Sequence, residues 1–539
     1  MAENASDAAF DVAFDVAVIG AGPAGMAAAT TAADHGLRVA LIDAGRQLGG
    51  QYFRHPAPGL TAPWSAELHH GWAEFERLAA RVETSPRVEV LFEHQVWAVE
   101  AVEAVGSVPA VAAVGSVEPV PAGAAVGSVE SVPAGAAVGS AELAGAVASV
   151  GVAEPVSVAV GTAFKVLTDR GPIAATSVVL ATGAYERVVP FPGWDLPGVF
   201  TAGGAQALLK GNLVLPGRRV VVAGTGPLLL PVAAGLAAAG ANVLGLYDAN
   251  RVRGYAKHPI PLLTNPAKLA EGLDFARRFL RHRVPLRSGY LVVEAQGTDL
   301  LEAVVLARPD GTGRRRVECD ALAIGYGLAP QIDLGLTLGC EPRYLADGTV
   351  ALRVDTDQRT TVPGFYAVGE TAGVAGVQTS LAEGEIAGLA IAAQAGGGSR
   401  PADAVALRRR RDRQRAFADV IRLQHPVPPA WRAHLTGDTV VCRCEEVSAH
   451  AVTEAVAELG AADARTVKLL TRAGMGWCQG RVCGYAVACL AQRDPDVPPS
   501  AADLLAAAKR PWRAPSRSVF WPSKTEGSNS RCPASLGTA

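Results

Sequence analysis

The chain has 539 residues, with 49% apolar and 19% charged, a composition that fits several packed cores and excludes a disordered or fibrous class. A net charge of −2 gives no electrostatic case for nucleic acid. The 8 cysteines are too unevenly placed for a secreted disulfide framework. The opening MAENASDAAFD is acidic and lacks the basic and apolar stretches of a signal peptide, so a cytoplasmic protein is expected.

The first predicted element is a strand, DVAVIG over 15–20, followed by a turn, an Ala-rich helix and a second strand, LRVALIDAG. Gly20-x-Gly22-x-x-Gly25 sits at the turn of this βαβ unit. Gly20 suits the tight turn, Gly22 lets backbone approach a pyrophosphate, and Gly25 lets helix and strand pack closely. The helix N-terminus offers free N–H groups to phosphates. Asp43, ending the second strand, is placed to accept ribose hydroxyls. Strand, helix and acid in register make this a dinucleotide site. Gly50 and Gln51, in the turn that follows, complete the candidate contacts at this end.

From Ala101 to about Gly161 the composition collapses to Ala, Val, Gly, Ser, Pro and Glu, and Val-Gly-Ser recurs at Val114, Val126 and Val138. Pro and Gly inside each unit argue against a solenoid, and the lack of aromatics argues against a core. The flanks VEVLFEHQVWAVE and FKVLTDRGPIAATSVVLATG read as strands. The repeat is therefore expected to be a flexible insertion in a surface connection, where added length costs little.

A second βαβ unit spans 218–248. Its charge-free run Val220–Tyr247 is long enough to span a membrane, but Gly224, Gly226, Pro227, Pro231 and Gly240 interrupt it. Its fingerprint, Gly224-Thr-Gly226-Pro-Leu-Leu229, has leucine at the third glycine position, where a side chain is expected to crowd helix against strand. Tyr247 aligns with the ribose-binding acid, and Asp248 comes one place late. The unit is either an NAD(P) site or a domain that keeps the fold and has lost or changed its nucleotide; the leucine weights the second.

The basic run LRRRRDRQRAF, within 401–425, reads as the solvated face of a connecting helix rather than a docking surface for an acidic partner. After the Pro-rich joint HPVPPAW come Cys442-x-Cys444 and Cys478-x4-Cys483. Four thiolates able to converge suit a [2Fe–2S] cluster. Zinc more often takes two C-x2-C knuckles, and Gly474, Gly476, Gly480 and Gly484 supply N–H groups that can bond cluster sulfurs. Cys489 is not needed as a ligand; Cys319 and Cys340 are isolated, and no dithiol pair lies near the first nucleotide unit. The histidines His55, His69 and His70 have no metal spacing.

Ala181-Thr182-Gly183 and Gly369-Glu370, each after a strand, resemble the paired segments that close around FAD in the disulfide-reductase-like flavoproteins. The resemblance implies FAD, with Glu370 standing where that superfamily usually has Asp, near the ribityl chain or pyrophosphate. It also implies that the helix beginning near Gln378 points its positive end at the flavin pyrimidine. VVCRCEEVSAHAVTEAVAELG and KLLTRAGMGWCQGRVCG resemble the bacterioferritin-associated-ferredoxin-like [2Fe–2S] module. With LATGAYERVVPFPGWDLPGV, VVVAGTGPLLLPVA and ALAIGYGLAP, the whole resembles the FAD-containing A (alpha) subunits of opine oxidases, hydroxyproline and proline dehydrogenases, and hydrogen cyanide synthase.

That resemblance implies an α/β chain of two nested Rossmann-like domains plus a small, mainly helical [2Fe–2S] module. The expected division is an FAD-binding domain over 12–100, 161–200 and 318–400, the insertion 101–160, an NAD(P)-binding-like domain 201–317, a basic helical linker 401–437, the cluster module 438–495 and a partly disordered tail 496–539. It implies an electron-transferring subunit of a heteromeric amino-acid or imino-acid dehydrogenase. The implied partners are a second, catalytic subunit containing FAD and a small ferredoxin-like one. No residue here is named as a substrate base. The alternatives are a stand-alone NAD(P)H-dependent reductase feeding an iron-sulfur acceptor, a glycine-oxidising cyanide synthase subunit, and a non-enzymatic iron-sulfur assembly or storage-release partner.

Overall fold

The computed structural model describes residues 13–64, 68–69, 71–103, 162–251, 255, 264–396, 401–494, 497 and 499–508. The Val-Gly-Ser repeat and the tail beyond residue 508 lie outside the described residues; the start of the tail forms the helix Ala501–Ala508.

The first sheet is built around the strand Phe14–Ile19, apolar at every position from Val16 on and wholly buried there, as a central parallel strand requires. Its neighbours are Val39–Ile42 on one side and Gly171–Leu180 on the other, both parallel to it. Val88–Leu91 extends the first edge. Thr162–Thr168 and Val96–Glu103 extend the second as antiparallel strands. Phe365–Ala367 pairs in parallel with the end of Gly171–Leu180. The register Glu103↔Thr162 sets the two ends of the repeat-bearing connection directly opposite each other on one hairpin. Length inserted there leaves both strands paired.

Two helices close one face of this sheet: the cradle helix Pro23–Asp34 and the capping helix Val377–Gln394. They pack through small residues. A Cβ on Gly384 would stand 2.2 Å from Ala24 O, and one on Gly388 2.7 Å from Thr31 Cβ. Alanine, glycine and threonine at the seam thus allow backbones to touch, and neither helix needs a polar outer face there.

The second sheet is all parallel, in the order Leu286–Ser288, Asn242–Asp248, Arg219–Gly224, Ala321–Gly325, Val199–Thr201. The stretch Val220–Tyr247 resolves into strand, the helix Leu229–Ala238 and strand, and among the described residues no helix is long and apolar enough to cross a membrane. A three-stranded antiparallel sheet, Leu291–Gln296, Ala303–Ala307 and Arg315–Glu318, packs beside it.

The linker helix Pro401–Gln424 leads to the C-terminal module. That module holds one short hairpin, Val440–Cys442 with Val447–Ser448, and the helices Ala449–Ala457, Ala464–Thr471 and Gly484–Leu490. Ser448 and Asp463 cap two of the helices by accepting from Ala451 N and Thr466 N. The module shares one apolar core with the antiparallel sheet, including Trp431, Val452, Leu291 and Val304.

Candidate functional site

The fingerprint glycines meet at the C-terminal end of Phe14–Ile19, where a parallel sheet opens a crevice. Gly20 has φ +109, and a Cβ there would lie 2.3 Å from Ala181 O. A Cβ on Gly25 would lie 1.8 Å from Gly20 O. Both positions require glycine for close packing. At Gly22 the nearest atom to an added Cβ is Gly50 Cα at 4.0 Å, so the space before this backbone is open to a ligand. Gly22 is also the N-cap of the cradle helix, with Pro23 in its first turn.

Asp43 reaches back to this turn. Its Oδ2 accepts from Ala21 N at 2.6 Å and its Oδ1 from Gly45 N at 2.6 Å. Ala181 is buried beside Gly20. Thr182 Oγ1 donates to Gln331 O at 2.7 Å, and Gln331 N donates to Gly183 O at 2.9 Å, fixing the Ala-Thr-Gly loop. Gly369 closes the other side, its added Cβ falling 2.9 Å from Ala24 Cβ. Gln51 is exposed, and its Oε1 accepts from Arg54, so it stands at the rim. The crevice thus gathers Gly20, Gly22, Gly25, Asp43, Gly50, Ala181, Thr182, Gly183, Gly369 and Glu370.

Glu370 tests whether these residues suit a flavin nucleotide. Its Oε1 accepts from Gly376 N at 3.1 Å, while its Oε2 is buried without a partner. Burial pushes the carboxyl up to about 7. A buried acceptor left open in this way calls for a donor, and a ribityl or ribose hydroxyl is one. The open space at Gly22 and the orphaned oxygen both fit FAD.

An arginine cluster lies behind this crevice. The loop between Glu370 and the capping helix offers three successive carbonyls to guanidinium groups: Ala372 O to Arg343 at 2.8 Å, Gly373 O to Arg415 at 2.9 Å and Val374 O to Arg422 at 2.9 Å. Fully buried Glu383 accepts from Gly369 N at 2.9 Å and pairs with Arg415 Nη2 at 2.5 Å. The basic run is therefore not simply a solvated face. Arg411, Arg415 and Arg422 turn inward, the side chains of the last two 16% and 11% exposed. The spacing 408, 411, 415, 422 puts these arginines on one helical stripe, a signal present in the sequence.

The four module cysteines line a cavity of about 270 Å³, whose opposite wall is Val188, Trp194 and Thr201. They do not converge on one point: among the described residues no three His, Cys, Asp or Glu side chains gather as a single-ion site. They stand as two facing pairs, Cys442 with Cys483 and Cys444 with Cys478. One tetrahedral zinc needs all four donors around it, whereas a two-iron cluster takes two on each iron. The pairing therefore fits [2Fe–2S]. Gly476 makes room for it, since a Cβ there would lie 2.3 Å from Cys444 Cβ.

The module is bolted to the crevice side of the molecule. Trp194 Nε1 donates to Val440 O at 2.6 Å, and Arg443, between two of the cysteines, lies over the Trp194 ring at 5.3 Å. Buried Arg187 lies over the Tyr485 ring at 4.5 Å, and Arg481 Nη2 pairs with Asp333 at 2.7 Å. Val188, at the cavity wall, lies five positions along the chain from Gly183, at the crevice, so their Cα atoms are at most about 18 Å apart.

The second nucleotide unit differs from its reading in the sequence. The register shifts between Val243 and Gly245, and the extra residue brings Asp248 opposite Gly224. Asp248, not Tyr247, holds the place that Asp43 holds by Gly20. Tyr247 is buried in the core. Leu229 is accommodated because the facing residue is Gly325, whose added Cβ would be 3.6 Å from Leu229 Cδ2. The helix starts only at Leu229, after a turn over Gly226–Leu228.

Residues 14–397 match the pyridine nucleotide-disulphide oxidoreductase family, and residues 440–493 match the BFD-like [2Fe–2S] binding domain. Hydrogen cyanide synthase subunit HcnB of Pseudomonas protegens is 31% identical over 494 residues, 87% of this chain and 90% of the relative. The A-type subunit of opine oxidase from Agrobacterium tumefaciens is 32% identical over 486 residues, 88% of this chain and 84% of the relative. The crystal structure of L-proline dehydrogenase from P. horikoshii has the same fold, with a TM-score of 0.55 at 20% identity over 89% of this chain and 73% of that one. Crevice, paired cysteines and full-length relatives agree: the chain belongs to the pyridine nucleotide-disulphide oxidoreductase family, as an FAD-dependent oxidoreductase with a C-terminal [2Fe–2S] domain.

Proposed function

We propose that this chain is the electron-transferring subunit of a heteromeric dehydrogenase for an amino or imino acid of the hydroxyproline, proline, opine or sarcosine type. A partner subunit with its own flavin oxidises the C–N bond, a small ferredoxin-like subunit completes the assembly, and this chain takes the electrons onward. The carrying observation is the shared cavity: four cysteines face Val188 and Trp194, a short stretch of chain from Gly183. When bound, FAD exchanges electrons in pairs or singly and the cluster one at a time.

The chain's own residues hold and position. Gly22 and the first turn of the cradle helix would present backbone N–H groups to the pyrophosphate, Asp43 and Glu370 would accept hydroxyls, and Cys442, Cys444, Cys478 and Cys483 would ligate iron. Trp194, Arg187 and Arg481 fix the module against the rest of the chain. No substrate base is assigned to this chain, which suits a relay. Two relatives are named as subunits, which supports a partner. The reading places the chain in the cytoplasm.

The test is purification through a tag on this chain, with identification of co-purifying chains. A dye-reduction screen then covers D- and L-amino acids, hydroxyprolines, opines, sarcosine and glycine. The expected result is flavin and iron in this chain and substrate-dependent dye reduction only with the partner. A chain without flavin or iron, or one that oxidises the substrate alone, refutes the reading. A second reading, part of a cyanide-forming enzyme that acts on glycine, is favoured by the 31% identity to HcnB over 87% of this chain; cyanide trapping in the glycine arm decides it.

A further inference from the structure

The second nucleotide unit keeps its glycine turn and its acid, yet the electron relay uses neither. The chain itself approaches both. Thr225 Oγ1, in the turn, donates to His425 O at 3.1 Å. Asn250 Nδ2 donates to Thr225 Oγ1 at 2.8 Å and to Pro426 O at 3.0 Å. The His425 ring lies between Asp248 and Tyr255: Nδ1 is 3.3 Å from Asp248 Oδ2, and Nε2 is 2.8 Å from Tyr255 OH. His425 and Asp248 side chains are only 11% and 13% exposed.

These contacts fall on the two features a dinucleotide uses, the turn that receives phosphate and the acid that receives ribose. The contrast with the first unit is direct. There Gly22 faces open space, and Asp43 bonds only the backbone of its own turns. The segment is also anchored on both sides. Arg422 holds the last turn of the linker helix to Val374 O, and Trp431 is buried in the core shared with the cluster module.

We propose that His425 and Pro426 are a built-in occupant of the second nucleotide unit, closing it to NADH and NADPH. This rests on the relay reading and deepens it: the flavin's reductant is a partner subunit, not a pyridine nucleotide. His425 is a specificity residue, acting by exclusion.

The experiment uses the full chain loaded with flavin and cluster, titrated anaerobically with NADPH and NADH. Calorimetry reads binding and flavin absorbance reads reduction; dithionite confirms that the flavin is reducible. Expected for the wild type is no binding up to about 1 mM nucleotide and no bleaching. Expected for His425→Ala, and more so for His425→Gly with Asn250→Ala, is affinity gained by about tenfold or more. Wild-type binding as tight as the opened variants', without bleaching, overturns the occupant and leaves the relay standing. Wild-type binding with bleaching overturns both. Equal silence from wild type and flavin-loaded variants that melt alike overturns the occupant too, because closure then lies elsewhere.

Discussion

Replacing Arg415 by Met isolates the charge that the flavin crevice buries. Glu383 is fully buried, and both Nε and Nη2 of Arg415 bond its Oε1, at 2.8 and 2.5 Å. Removing one partner of a buried pair costs about 3–5 kcal/mol, and the lost bond to Gly373 O adds about 1 kcal/mol. Protonation of Glu383 limits the damage. Burial already holds its carboxyl above the usual carboxylate range, and Arg415 pulls it down. A carboxyl raised in the folded state gives stability that is full below its unfolded value of about 4.3 and is lost as pH rises through the folded value. Without Arg415 the folded value rises further. The penalty of the variant must therefore grow with pH, from about 1–2 kcal/mol at about pH 5 to about 4 kcal/mol at about pH 8. Urea unfolding followed by flavin fluorescence on release, repeated across that range, measures it. Adding Glu383→Gln removes the buried charge and must recover about half the loss at the alkaline end. A penalty below about 1 kcal/mol, one flat with pH, or no recovery in the double variant refutes the reasoning.

Gly476→Ala forces a Cβ to 2.3 Å from Cys444 Cβ, so iron content should fall by more than half while flavin content stays; equal iron in variant and wild type counts against the cysteine geometry. Cys442→Ser should abolish the cluster's visible absorbance, whereas Cys489→Ser, at a buried thiol outside the cavity wall, should keep it. At about pH 8.5, above the raised Glu370 carboxyl, Glu370→Gln replaces a charged acceptor by a neutral one, and flavin affinity should drop about tenfold in a fluorescence titration; an unchanged Kd removes Glu370 from the site.

The first fingerprint was legible because its demands are local. Gly25 packs on Gly20 O within one turn, and that demand needs no distant element; only the limit on Gly20, Ala181 O at 2.3 Å, comes from a strand far along the chain. The cysteines were legible as a set, but not as two pairs, because pairing depends on a hairpin and a helix start that meet only in the fold. The position of Asp248 was misread for a physical reason. A strand absorbs one extra residue in a bulge, and the one letter of Val243–Asp248 that signals it is Gly245, a glycine inside the strand. The basic run carried its own stripe, yet a stripe of arginines says nothing about which carbonyls wait for it. Gly373 and Val374 reach those arginines only through tertiary packing.

The linker helix is the part whose role a linear reading underrates most. Between Gln394 and Val440 the chain fixes the loop behind Glu370, crosses the second nucleotide turn and then enters the core of the cluster module. A flexible tether would leave the cysteine cavity free to drift from the crevice, and electron transfer would depend on chance approach. Here Arg415 pairs with Glu383 while Arg422, two turns on, holds Val374 O and sets where His425 falls, and the joint after His425 sets where Trp431 and the Val440–Cys442 strand begin. Loosening the arginine anchors should therefore act at a distance. It should raise amide exchange at Thr225 and Val440 together, a coupling that a merely local role for the linker does not produce.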